Sequence, residues 1–216
     1  MRIKYFLMFI IIMLQIFVGS KNDGISQIEM LQSPLYDLPT FHYDLVNVAS
    51  PDSTLSRLHV YLKIAFDELQ FIVKEEEFHA SYEFSVVIYD KDGNQIDGRI
   101  EDEEVTAADF DLTNSRQSYS TSFMKFDLQP GEYKISIALA DVETRKKRTI
   151  KDEFKLRDFS SKEMMISDLA FVRNLVVDSL GVKSYHPDIA NCIKDLTEEL
   201  YVYFEIYSQS EEEEQY

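Results

Sequence analysis

The chain has 216 residues, a formal charge of −17, 15 Phe and 13 Tyr, no Trp and one Cys. Such acidity repels phosphate backbones and anionic lipid surfaces, which argues against nucleic-acid or membrane partners and favours solubility. The lone Cys192 closes no internal disulfide, and the scarcity of Gly and Pro argues against a disordered or collagenous chain, so stability rests on a packed core.

Residues 1–20 read as a secretory signal. Arg2 and Lys4 precede an apolar run from Tyr5 to Val18 broken only by Gln15, and Gly19-Ser20 supply the small residues of a cleavage site. Fourteen residues fall short of the roughly 20 that a spanning helix needs. The product is therefore expected to be exported: periplasmic, in the cell envelope or extracellular. Cleavage after Ser20 would remove two cations and leave −19.

Residues 21–40 have no period and contain Pro34 and Pro39, as a leader segment would. Phe41 to Val48 is a first strand, stopped by Ser50-Pro51-Asp52-Ser53. Apolar residues then recur at every second position: Leu58, Val60, Leu62 and Ile64; Ala80, Tyr82, Phe84, Val86 and Ile88; Tyr133, Ile135, Ile137 and Leu139; and, with Asp152 interrupting, Ile150, Phe154 and Leu156. This period places one face of each strand in a core. Phe71 to Lys74, 94–101 and 118–128 are less regular strands. Asp92-Gly93 marks a hairpin, Gln129-Pro130-Gly131 a type II turn with glycine at the positive-φ position, and Glu143 to Lys147 a polar hairpin tip. Seven or eight strands with short turns and no intervening helix predict an all-β, antiparallel, immunoglobulin-like β-sandwich over 41–159. Residues 160–199 read as a linker with a strand near 166–177 and a short helix over 187–200. Residues 200–216 read as one strand and an acidic tail, Glu211 to Glu214.

That last strand echoes an earlier one. Leu58-His59-Val60-Tyr61-Leu62-Lys63-Ile64 and Leu200-Tyr201-Val202-Tyr203-Phe204-Glu205-Ile206 share Leu, Val, Tyr and Ile at an offset of 142 residues. Such self-similarity predicts tandem modules, with the start of a second sandwich at the C-terminal end and a strand lacking its own sheet.

These segments, together with Leu69-Gln70-Phe71, Ala80 to Asp90 and Leu128-Gln129-Pro130-Gly131-Glu132-Tyr133, resemble the N-terminal part of exported bacterial GWxTD-domain proteins, and Val202 to Tyr207 resembles the opening of that family's second sandwich. The likeness covers roughly residues 40–207. It implies a piece of a longer envelope or secreted protein, whose missing C-terminal domain is one expected partner. The name-giving Gly-Trp-x-Thr-Asp motif is absent, so nothing that region does carries over.

Candidate sites are few. Asp90, Asp92, Asn94 and Glu101 match calcium-loop positions 1, 3, 5 and 12, but Gln95 stands where the loop needs glycine, and the flanks read as strands. Glu75–Glu77 and Glu101–Glu104 read as solvated loops, and Arg145–Arg148 as an exposed basic run. His42, His59, His79 and His186 have no metal-ligand spacing, and no nucleophile elbow or P-loop occurs. No cofactor is implied. The expected function is non-enzymatic: a protein-interaction or spacer module. The alternatives are a carbohydrate- or calcium-dependent binding module, with Tyr61, Tyr89 and Tyr119 as stacking platforms, or the accessory region of an enzyme.

Overall fold

The structure, a computed structural model, describes residues 38–161, 164–178, 181–189 and 201–208. The expected signal, most of the leader segment, the helix from residue 190 onward and Cys192 lie outside the described residues. Pro39–Tyr216 is one compact unit and is described by itself.

The chain forms an antiparallel β-sandwich of immunoglobulin-like type. One sheet has the order β1 (Phe41–Ala49), β2 (Ser56–Ala65), β6 (Tyr119–Leu128). The other contains β3 (Ile72–Lys74), β4 (Glu77–Tyr89), β5 (Gln95–Ala107), β7 (Gly131–Asp141) and β8 (Lys147–Leu156). β4 is its spine. Tyr82 to Tyr89 pair with both β5 and β7, so those strands flank β4 on opposite edges. β3 pairs with β4 below β7, and β8 continues the sheet beyond β7.

The alternating residues meet between the sheets. Leu58, Val60, Leu62 and Ile64 of β2, Met124 and Phe126 of β6, Tyr82, Phe84, Val86 and Ile88 of β4, and Ile135, Ile137 and Leu139 of β7 form one core, each 2% exposed or less. Burial of each such side chain stabilises by about 1.5–3 kcal/mol. Two hydroxyls bridge the layers. Tyr82 reaches Ser120 Oγ and Ser122 Oγ at 2.9 and 2.8 Å, and Tyr43 donates to Asp152 Oδ2 at 2.7 Å. Burial, with Asp152 beside it, pushes the Tyr43 phenol up to about 12.

Two local expectations are corrected. Gly131 is the first residue of β7 and does not adopt positive φ; Gly93 does, at +90°. The Pro-Gly-Tyr corner is instead tied by Tyr133, whose hydroxyl donates to Gln129 O at 2.7 Å as the strand crosses between sheets, in the manner of a tyrosine corner. The Glu101–Glu104 run is not a loop but lies inside β5, which extends to Ala107 because β4 offers it a continuous ladder. Glu75 and Glu76 are the two central residues of the β3–β4 hairpin, with φ of 51° and 71°.

After β8 the chain builds more strand than expected: β9 (Met165–Ile166), β10 (Ala170–Asp178), β11 (Gly181–Pro187), β12 (Tyr201–Tyr203) and β13 (Ile206–Tyr207). β12 pairs with β10 and β13 with β9, so residues 201–207 do not lack strand partners. Helix among the described residues is confined to a 3-10 turn at Phe66–Glu68 and to α1 (Phe110–Thr113), capped by the Asp109 carboxylate.

The left-handed conformation at Glu75 and Glu76 is costly for residues with a Cβ. Replacing the pair by Asn-Gly (Glu75→Asn with Glu76→Gly) is expected to raise the stability of the sandwich by about 1 kcal/mol. A urea-denaturation midpoint that stays put or falls would refute this account of the hairpin.

Candidate functional site

The four candidate calcium ligands do not converge. Asp90 Oδ1 accepts from the amides of Asp92 and Asn94 at 2.9 and 2.8 Å, and Oδ2 accepts from Asn94 Nδ2 at 2.9 Å. These bonds, the Asn94 side chain first, hold the Asp90 carboxyl below its ordinary range. Its oxygens thus close the hairpin that Gly93 bends. Glu101 lies opposite Phe84, six residues along β5 from Gln95, which pairs with Tyr89 at the hairpin end of the ladder. At about 3.3 Å per residue that is roughly 20 Å away, far beyond one cation's reach. Among the described residues no group of three or more His, Cys, Asp or Glu is placed to hold a metal ion.

The three tyrosines have different fates. Tyr61 is not exposed: at 8% it is buried with Val46, Val48 and Ile189 on the outer face of the first sheet, its ring 4.9 Å from that of Phe123. Tyr119 is open to solvent but has the Lys63 ammonium 4.0 Å over its ring. Tyr89 lines a groove of about 410 Å³ on the other sheet, with Lys134, Ser136, Lys151 and Glu153 beside it. The histidines are dispersed: His42 and His59 lie on β1 and β2, His79 is the third residue of β4 in the opposite sheet, and His186 is in β11.

The densest polar constellation lies where sequence reasoning saw a linker. Asp168 sits between β9 and β10, where one extra residue interrupts the pairing with β12 and β13. That irregularity turns Asp168 toward the outer edge of β1. Its Oδ2 accepts from Asn47 N at 2.7 Å and from Asn47 Nδ2 at 2.6 Å, and its amide donates to Asn47 O at 2.9 Å. Arg157 Nη2 lies 2.8 Å from Asp168 Oδ1, and the Arg157 amide donates to Asn47 Oδ1 at 3.2 Å. Two residues on, Ala49 N donates to the Tyr207 hydroxyl at 2.9 Å, which donates to Glu205 Oε2 at 2.7 Å. Phe159 packs edge-on against Tyr207. Partners 121 and 158 residues apart thus clamp the C-terminal strands to β1.

This clamp fixes the two faces of residues 201–207. Tyr203, Glu205 and Tyr207 share one face, where both tyrosine hydroxyls donate to the Glu205 carboxylate. Val202, Phe204 and Ile206 point the other way and are 49%, 44% and 61% exposed, with Ile166 and Leu169 also exposed at 45% and 54%. Their counterparts in the echo, Val60, Leu62 and Ile64, are 0% exposed.

No family model and no curated protein matches the sequence. Among solved structures, a Bacteroides uniformis β-glucuronidase aligns at TM-score 0.35 and 11% identity, over 58% of this chain and 13% of that one. A putative β-galactosidase from Bacteroides fragilis aligns at TM-score 0.33 and 17% identity, over 53% of this chain and 16% of that one. The chain thus spans under a fifth of either protein, and likeness at this level carries no functional argument.

Two outcomes test the junction. Asp168→Ala removes a charge-assisted acceptor of the kind that contributes about 1.5–3 kcal/mol. Amide exchange at Asn47 is expected to speed up about tenfold or more, and unchanged protection there would mean the clamp is incidental. The second concerns His59, packed against Tyr61 and Phe123. Burial first, then Arg57, depress its pKa; Glu205 opposes them, ahead of a smaller lowering by Lys125 and a smaller raising by Asp127. The unfolded chain therefore takes up the proton at higher pH than the folded one. His59 leaves stability intact above its ordinary value of about 6.5 and lowers it as pH falls below that. The drop in thermal midpoint from neutral to mildly acidic pH is expected to shrink in His59→Phe; an equal drop in both proteins would refute the assignment.

Proposed function

We propose that this chain is an exported, non-enzymatic spacer and protein-interaction module: a complete sandwich that holds the opening strands of a second one at a fixed angle for a further polypeptide to complete. One observation carries the reading. The residues that echo the fully buried Val60, Leu62 and Ile64 are exposed in Val202, Phe204 and Ile206, on a segment clamped to β1. An apolar sheet face in water favours association, and a sandwich is the arrangement that covers it. The layout of residues 1–20 supports export, and the resemblance to exported GWxTD-domain proteins agrees with both parts of the reading.

The experiment has two arms. Cell fractionation with N-terminal sequencing is expected to recover an extracytoplasmic product beginning at Lys21; a product retained in the cytosol with residues 1–20 intact sinks the export claim. For the spacer, spin labels at the exposed positions Glu101 and Ser208, in a Cys192→Ser background, report the distance between the far sheet and the C-terminal strands. A single narrow distribution that broadens in Asp168→Ala is expected. A distribution already broad in the parent protein would remove the spacer role.

A further inference from the structure

The groove beside Tyr89 gathers polar groups that the fold does not use. β4, β7 and β8 bring Tyr89, Lys134 and Glu153 into one cross-strand row, with Ser136 opposite Lys151 in the next row on the same face. The rows cross three strands, a span of about 10 Å. Of the polar groups lining the groove, two are engaged: Lys134 Nζ donates to Lys91 O at 3.3 Å, and Asp152 accepts the Tyr43 hydroxyl at 2.7 Å. The Tyr89 and Ser136 hydroxyls, the Lys151 ammonium and the Glu153 carboxylate make no hydrogen bond or ion pair with any described residue. Elsewhere on the surface, charges such as Arg57 with Asp127 and Arg116 with Asp67 are paired at 2.8 Å.

We propose that this groove is a binding site for a neutral sugar, a hexopyranoside. The volume of about 410 Å³ is within the range of small-ligand sites. Lys134 and Lys151 stand with Glu153 on its floor, so the lining mixes both signs instead of presenting a cluster of one. A purely apolar ligand would strand the ammonium, the carboxylate and both hydroxyls. A pyranose meets all of these demands. Its C–H face lies on an aromatic ring, here Tyr89, and its hydroxyls are both donors and acceptors. Glu153 takes their protons, Lys151 gives to their oxygens, and Ser136 does either. The hairpin closed by Asp90 brings Gly93 into the lining of the groove.

The test uses the full chain with methyl β-glucopyranoside and methyl β-galactopyranoside, followed by saturation-transfer NMR. Transfer to the ring C–H protons of at least one glycoside is expected. Tyr89→Ala should weaken binding about tenfold and Tyr89→Phe by less than about threefold, because the ring and not the hydroxyl supplies the platform. Lys151→Met should weaken it about threefold, and a tenfold rise in salt should leave it unchanged. Circular dichroism checks that each variant keeps its strands. Absence of transfer with both glycosides, binding untouched by Tyr89→Ala, or displacement of the sugar by inorganic phosphate with steep salt dependence would each overturn the assignment.

Discussion

Everything in this molecule depends on one constraint: a β-ribbon has two faces, and the apolar one must be covered. In the sandwich it is satisfied on both sides of a single plane. Val60, Leu62 and Ile64 of β2 face Tyr82, Phe84 and Val86 of β4, and all six are fully buried. Burial of about 1.5–3 kcal/mol per large apolar side chain makes these facing rows the dominant favourable term, and no disulfide among the described strands shares the task. The two hydroxyl bridges, Tyr82 to Ser120 and Ser122 and Tyr43 to Asp152, add direction rather than bulk stability. Each forms in one arrangement of the sheets and not in a slipped one, and the Tyr82 pair also satisfies buried or half-buried polar atoms.

The edges follow a second rule, that unpaired strand groups must be blocked or bonded. β5 is a long edge strand, and its inward positions opposite Ile88, Val86, Phe84 and Tyr82 are Asp97, Arg99, Glu101 and Glu103. Inward-pointing charge on an edge strand blocks pairing with another chain. Arg99 also lies 5.0 Å over the ring of Phe126, so its charge closes the open end of the core without being buried alone. β1 solves the same problem differently. The amides of Asn47 and Ala49 and the carbonyl of Asn47 on its outer edge are bonded by Asp168 and Tyr207. Covering an edge and fixing the C-terminal strands are thus the same set of bonds.

What was legible in the sequence follows from these two rules. Strands whose inner face is uniformly apolar, β2, β4 and β7, announced themselves by period two. β5 did not, because its inner face is charged, and its acidic stretch mimicked a loop. The calcium template at Asp90, Asp92, Asn94 and Glu101 misled for a related reason: side-chain oxygens at alternate turn positions also serve a hairpin, where Asp90 bonds the backbone ahead of it. The Pro-Gly-Tyr corner was visible as a turn, but its type was set by a tyrosine hydroxyl two residues beyond the glycine. Asp168 was out of reach, since its partner Asn47 lies 121 residues away and nothing local marks either residue. The echo at 200–206 was readable, and the structure adds which of its two faces is exposed.

The same geometry separates the two proposed activities. The outer face of the β1–β2–β6 sheet receives Ile189 over Val46, Val48 and Tyr61, so it belongs to the junction. The outer face of the opposite sheet carries the Tyr89 groove, reached from the hairpin tip at Gly93 and from β8, with the whole core in between. A polypeptide covering Val202, Phe204 and Ile206 would therefore approach residues that line no part of the groove. Occupancy of one site leaves the other accessible, and coupling between them would have to pass through a close-packed interior with no second arrangement in evidence. Independent sites on opposite sheets suit a module that is fixed in place through one face and meets its ligand with the other.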